Sequence, residues 1–487
     1  MVLTYKVELY RPILRAIYRR VDLMSFNIVQ KIQGNRSRIA TVRSRAGATA
    51  ILTASALMAT VAFGATPSSA LAKADPNTGK LVYWFWGESD VPGSTAWMQA
   101  AIKRYQVLHK GIKIQLVPQG SDTLQGAFET TAQTKSGPDI AMQWATLPVL
   151  TPVWRGQVAS LKGLVPASEM ANWLNTSENV SGGESWAMPL YLLGQPFVWN
   201  KALFKKAGLD PNKGPATWKD FLAYCAILKA AGITPITMGD KDGFFGSWFQ
   251  GTVGTQSLNS VKDLQDVYAG KAKFTDPKYS GYLTLLAELK TKGYINNDVT
   301  SIDLTQGWQA FAQGKGAMTW TTDGNVASWI KAGMGSKLGV QTVPKVGTGK
   351  LASFYTATQS ISAFVTSWSK NKPAAAAFLM WLHQPKNLNS WYMATKAFPA
   401  DKRFSSSLIK DPIMKQLYKL DTLPNQLWAE NYAPPQVDSQ GLQPAAQGIL
   451  AGTKTPAQAA ADIQRAINQW RIQQPGDLAN FKKWAGN

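Results

Sequence analysis

Residues 81–86 read LVYWFW and residues 139–144 read DIAMQW, and the stretch they bracket decides the fold. Both are short apolar runs, the length of a buried strand rather than a helix. Between them Met98, Ala101, Ile102, Tyr105 and Leu108 recur at helical spacing, which predicts an amphipathic helix capped by Ser94. Residues 113–117 supply a second predicted strand and 123–134 a second helix. The order β-α-β-α-β predicts a parallel sheet with right-handed crossovers, the frame of an α/β protein. Ligands of such sheets bind beyond the carboxyl ends of the strands. Trp86-Gly87-Glu88 and Gln143-Trp144 fall at those ends.

Further along, a helix over 218–231 is predicted to open on a capping box of Thr217 and Asp220 and to close at Gly232. Its apolar stripe is Trp218, Phe221, Leu222, Cys225 and Leu228, so Cys225 reads as a buried, inert thiol. Helical patterning returns over 282–292, 305–313, 373–382 and 455–470. No internal repeat and no glycine-rich phosphate loop stands out.

Composition narrows the chemistry. The 487 residues are 45% hydrophobic and 16% charged, which is globular and long enough for two or three domains. One cysteine excludes an intrachain disulfide and a cysteine metal cluster. With His109 and His383 as the only histidines, a histidine zinc site or a Ser-His-Asp triad has almost no material, and no metal or cofactor is expected.

The first 72 residues read as an export signal. Ten basic side chains between Lys6 and Arg45 face only Glu8 and Asp22, and an uncharged segment, AGATAILTASALMATVAFGA, follows over 46–65. It ends at Ala70-Leu71-Ala72, an A-x-A pattern, so cleavage is expected after Ala72. Its many Ala, Thr and Gly residues argue against a membrane anchor. Removing residues 1–72 takes ten basic and two acidic side chains from a chain of net charge +22, leaving +14. The basic residues are scattered and do not alternate with aromatics, so nucleic acid is not an expected partner.

From about Leu81 onward the sequence resembles the extracellular solute-binding proteins of carbohydrate ABC importers, the maltodextrin-binding-protein-like group. The resembling stretches keep that family's order: PDIAMQWA (138–145), MPLYLLGQPFVWNKALFKKAGL (188–209), ATWKDF (216–221) and GFFGSWFQGTVGT (243–255). Then come FAQGKGAMTWTTDGNVASW (311–329), SISAFVTSWSKNKPAAAAFLMWL (360–382) and GILAGTKTPAQAAADIQRAINQW (448–470). The resemblance implies a periplasmic-binding-protein-like fold of type II, two α/β lobes joined by a hinge that the chain crosses three times. It implies an N-terminal lobe of 73–190 and 322–364 and a C-terminal lobe of 191–321 and 365–487. The expected crossings lie near Pro189–Leu190, Trp320–Thr322 and Phe364–Ser367. It further implies a small-molecule carbohydrate as ligand, membrane permease subunits as partners, an extracytoplasmic location, no catalysis and a monomer.

A sugar presents a C–H face that aromatic rings cover and a fringe of hydroxyls that carboxylates and amides bind. Carried over by motif, the implied ligand-binding residues are Trp86, Glu88, Gln143, Trp144, Tyr191, Trp248, Asp323, Asn325 and Tyr355. Second readings stand beside them: core packing for Trp86, Trp144 and Trp248, the hinge for Tyr191, and a helix cap for Asp323. The TTDGN loop over 321–325 also lacks the aromatic that the family often places there. Two other ligand classes or activities fit less well. A non-sugar solute such as a sugar acid, phosphorylated polyol or polyamine is one, and the net charge points mildly to an anion. A glycoside hydrolase using Glu88 with Asp323 is the other, and no motif supports it.

Overall fold

A computed structural model describes residues 77–120, 123–174 and 176–486. The chain divides into two units, Met1–Ala72 and Lys73–Asn487. The first unit, and with it the expected signal peptide and its cleavage point, lies outside the described residues.

The strands of two sheets are β1 (Gly79–Phe85), β2 (Ile112–Pro118), β3 (Ile140–Trp144), β4 (Met188–Gly194), β5 (Phe197–Asn200), β6 (Met318–Trp320), β7 (Leu338–Gln341) and β8 (Ala357–Val365). The helices that position the site or the sheets are α1 (Ser94–Leu108), α2 (Leu124–Gln133), α3 (Leu147–Trp154), α4 (Trp218–Ala230), α5 (Phe244–Thr252), α6 (Leu304–Ala312), α7 (Asp323–Trp329), α8 (Lys372–Leu382), α9 (Pro385–Thr395) and α10 (Pro412–Asp421).

The first sheet has the order β2-β1-β3-β8-β4. β1 runs parallel to β2, with Leu81 beside Ile114, and parallel to β3, with Tyr83 beside Ile140. β8 enters antiparallel between β3 and β4. The predicted β-α-β-α-β unit is therefore present, with boundaries within two residues of expectation. Leu81, Tyr83 and Phe85 are fully buried and Val82 and Trp84 half-buried, the double-sided burial expected of a central parallel strand. α1 lays Trp97, Met98, Ala101, Ile102 and Tyr105 into the core. Leu108, expected on that stripe, is exposed at the helix end.

Ser94 is not the cap of α1. The cap position is Gly93 in the left-handed conformation. The carboxylate of Glu88 takes over, its Oε1 accepting from the Gly93 N–H at 2.7 Å and its Oε2 from the Thr95 N–H at 3.0 Å. α4 behaves as its sequence predicts: Thr217 and Asp220 form the capping box, and Trp218, Phe221, Cys225 and Leu228 are buried. Burial pushes the Cys225 thiol pKa up, which keeps it unreactive.

The second sheet has the order β6-β5-β7, all antiparallel, with Val198 beside Thr319 on one side and Val340 on the other. Of the three expected passages between the sheets, the one near Trp320–Thr322 is present, while the other two fall elsewhere. Pro189 and Leu190 lie inside β4, which pairs with β8, so the first passage comes at Gln195–Pro196. The passage after Trp320 leads into α7, which returns to the first sheet: Thr322 Oγ1 donates to the Asp90 carbonyl at 3.1 Å. Residues 338–341, expected with the first lobe, instead form β7 of the second sheet. Residues 364–367 make no passage either. α8 packs Phe378 against Tyr83 and Tyr105, and α9 packs Trp391 against Trp97, so both stay with the first sheet. The reason is local. Apolar strands of both sheets read alike in sequence, and only the pairing partner says which sheet a strand joins.

Candidate functional site

Two adjoining cavities open beyond the ends of β1 and β3. The first, about 420 Å³, is lined by Glu88, Asp90, Trp144, Asp242, Trp248, Asp303, Trp308, Trp428 and Glu430, among others. The second, about 440 Å³, shares Trp144, Asp242, Phe244 and Glu430 with it and adds Glu129, Arg155, Asp438 and Asp477. Both volumes are of the size that takes a small organic ligand.

The aromatic part is assembled from distant segments. Trp144 ends β3 and is backed by Trp86, their ring centroids 4.4 Å apart. Trp248, on α5, lies 5.6 Å from Trp308 of α6 and 5.5 Å from Trp428, edge to face with the latter. Hydrogen bonds fix two of these rings: Trp308 Nε1 donates to the Trp320 carbonyl at 2.8 Å, and Trp428 Nε1 to Glu430 Oε2 at 3.2 Å. The indole faces are therefore held in place before any ligand arrives.

Acidic groups are prominent in the polar part, beside neutral side chains such as Gln119 and Thr305 in the first cavity and Gln125, Asn431 and Gln443 in the second. Burial works against the Glu88 charge, but the N–H groups of Gly93 and Thr95 outweigh it and hold its pKa below the usual value. Burial pushes Asp90 up to about 7. It also raises Asp242, whose Oδ2 accepts from the Leu304 N–H at 3.1 Å while its Oδ1 is buried without a hydrogen-bond partner. Glu430 is raised by burial and by the nearby charges of Asp438 and Asp90. Burial lifts Asp438 to about 6 against hydrogen bonds from Ser247 and Gln443. Arg155 is already committed, to Asp477 at 2.7 Å and Glu129 at 3.5 Å.

Of the residues expected at the ligand, Glu88, Trp144 and Trp248 line the first cavity. The others lie outside both linings. Trp86 is 1% exposed, behind Trp144, and Gln143 is buried within β3. Tyr191 stacks on Trp391 at 5.3 Å, with its hydroxyl beside Gly87. Gly87 has φ +130°, and a Cβ there would lie 2.9 Å from that hydroxyl, so only glycine lets this turn approach β4. Asp323 accepts from the Gly194 N–H at 2.6 Å, Asn325 Nδ2 donates to Thr322 Oγ1 at 3.0 Å, and Tyr355 is buried where its segment bridges Gln426. The hydrolase pairing of Glu88 with Asp323 thus lacks a common cavity.

Sequence reasoning missed Asp90, Asp242, Asp303, Trp308, Trp428 and Glu430. One signal was available: Trp428-Ala429-Glu430 repeats the Trp-x-Glu spacing of Trp86-Gly87-Glu88. For a metal, the described residues bring Glu169, His383 and Asp401 together. Arg403 already bonds both carboxylates, so a cation is in place there. Burial opposes the Asp401 charge, yet Arg403 and His383 hold its pKa at about 2.

Known proteins share this architecture. A structure described as a chitin oligosaccharide binding protein superposes with a TM-score of 0.73 at 18% identity, covering 81% of this chain and 99% of that one. The GacH receptor of Streptomyces glaucescens GLA.O gives 0.66 at 18% identity, covering 81% and 98%. At that identity the likeness establishes the fold, the type II periplasmic-binding-protein architecture of two α/β lobes. In sequence, the sn-glycerol-3-phosphate-binding periplasmic protein UgpB of Shigella flexneri serotype 5b (strain 8401) is 30% identical over 243 residues, 46% of this chain and 52% of that protein. Its Escherichia coli (strain K12) counterpart is 29% identical over the same length. The chain therefore spans about half the length of the curated relatives it matches. The family model for bacterial extracellular solute-binding proteins matches residues 89–388, well over half of the chain, and the chain belongs to that family.

Proposed function

We propose that this chain is the extracytoplasmic receptor of an ABC importer, that it binds a sugar or oligosaccharide in the cavity at Trp144, Trp248 and Trp428, and that it delivers this sugar to permease subunits in the membrane. One observation carries the reading: fixed indole faces and carboxylates line a single cavity at the strand ends. Stacking on the C–H faces of a pyranose and accepting from its hydroxyls is what that pairing does best. The basic and then uncharged N-terminal segment supports export with cleavage after Ala72. The receptor works as a monomer and a binder without catalysis.

The lobes we assign are one body around each sheet, hinged at the passages Gln195–Pro196 and Thr321–Thr322 and where the chain enters and leaves β7. A ligand held by Trp144 of the first sheet and Trp248 of α5, whose Phe249 packs on Trp320 of the second sheet, favours the closed arrangement, because only closure lets both touch it.

The relatives named for sn-glycerol-3-phosphate suggest an anion instead. A phosphate site calls for arginine or lysine, and no Lys, Arg or His is among the described residues lining the first cavity. A thermal-shift panel of monosaccharides, oligosaccharides and glycerol 3-phosphate separates the two, since a ligand that binds only the native state raises its melting temperature. The sugar reading expects a rise with at least one sugar. A rise with glycerol 3-phosphate alone overturns it.

A further inference from the structure

We infer that the ligand of this cleft is an aminated sugar, a carbohydrate bearing one or more protonated amino groups; this rests on the sugar-binding reading above and specifies the charge. The cavity is marked as the ligand site by its place at the strand ends, its volume and its indole rings. The carboxylates then decide what kind of sugar fits.

Charge is distributed against composition. The chain has 51 basic side chains to 29 acidic ones, so a lining drawn at random would be basic. The first cavity instead presents Glu88, Asp90, Asp242, Asp303 and Glu430 and, among the described residues, no basic side chain. The adjoining cavity has one arginine, Arg155, which Asp477 and Glu129 already hold.

A neutral hydroxyl both donates and accepts, and a carboxylate satisfies only the donated proton. Against its five acidic groups the first cavity sets few side chains able to donate to the oxygens of a neutral sugar, chiefly Gln119 and Thr305. Trp428 Nε1, one of the donors close by, is taken by Glu430. An ammonium group carries three donors and no acceptor, which matches such a lining. Its charge also offsets the crowding of Glu430 with Asp438 and Asp90 and the buried, unpartnered Asp242 Oδ1. The indole faces add cation–π attraction. Rings rather than a flexible polyamine are favoured because Trp248, packed against both Trp308 and Trp428, gives the cavity flat surfaces, and a rigid ring loses less conformational freedom on binding.

The test is calorimetric titration of the protein from Lys73 to Asn487 at neutral pH. Glucosamine, galactosamine and β-1,4-linked dimers and trimers of glucosamine are each compared with the N-acetylated and unsubstituted counterpart, and spermidine is included. At least one aminated sugar should bind about tenfold or more tightly than both its counterparts, and added salt should narrow the gap. The double variant Asp242→Asn with Glu430→Gln should lower that preference, with its circular dichroism unchanged. If no aminated sugar outranks its neutral counterpart while a neutral sugar binds, the charge inference fails and the sugar reading stands. If spermidine alone binds, or nothing does, both fail.

Discussion

Asp421 and Asp323 are two buried carboxyl groups that meet beside Gly194, at the point where β4 hands the chain to the second sheet. Burial raises the pKa of both, and the Asp323 charge keeps the proton on Asp421. Asp323 in turn accepts from the Gly194 N–H. The last residue of α10 thus lies against the first residue of α7, beside the passage that the proposed hinge uses.

The pair sets a pH dependence. A carboxyl whose folded-state pKa is raised binds its proton more tightly folded than unfolded, so stability falls as pH rises from the unfolded value through the raised one. Asp421, Asp90, Glu430 and Asp438 all act in that direction. The protein should melt at a higher temperature near pH 5 than near pH 8. Asp421→Asn keeps a donor toward Asp323 and should flatten that slope by up to about 1.4 kcal/mol per pH unit. An unchanged slope in scanning calorimetry would remove the proton from the account.

Gly194 holds the room for this arrangement. A Cβ there would crowd Asp421 Oδ1 and lie 2.6 Å from the Tyr355 hydroxyl and 2.7 Å from Asp323 Oδ2, three buried side chains. Gly194→Ala should cost about 1–3 kcal/mol, the scale of overpacking in a core. Chemical denaturation measures it, and a variant as stable as wild type contradicts the packing described.

Glu88 should matter before any ligand binds. Both of its carboxylate oxygens accept from the first turn of α1 and its approach. Glu88→Ala should lower unfolding free energy by about 0.5–2 kcal/mol, as other lost caps do. A urea melt without ligand that matches wild type would return Glu88 to a purely ligand-facing role.

Trp86 and Trp144 should separate in the same assays. Trp86 is 1% exposed behind its neighbour, so Trp86→Ala opens a core cavity and should cost about 3–5 kcal/mol of stability. Trp144 is half-buried and lines both cavities, so its loss should show first in affinity.

How much of this was legible follows from the reach of each signal. The first sheet was readable because LVYWFW and DIAMQW are local patterns, and the rule that ligands sit at strand ends led to Trp144 and Glu88. The cap at Gly93 was hidden because Glu88 acts from five residues away, through a glycine turn that composition does not reveal. Lobe membership failed at 338–341 and 372–401, since it depends on which distant strand or helix is met. Trp308, Trp428, Asp242 and Glu430 come from segments far apart in the chain, and only folding brings them to one cavity. Asp323 and Tyr355 were drawn to the ligand by motif, yet they face Gly194.

The central claim, that a sugar binds in the cavity at Trp144, is tested most directly by titrating wild type and Trp144→Ala with the sugar that most raises the melting temperature. Half-buried at the end of β3, Trp144 can be truncated with less damage to the core than Trp248 or Trp428, each at least 94% buried. The variant should bind about ten- to a hundredfold more weakly, a loss of roughly 1–3 kcal/mol, while its circular dichroism matches wild type. Equal affinity in a folded variant would place the sugar elsewhere and contradict the account.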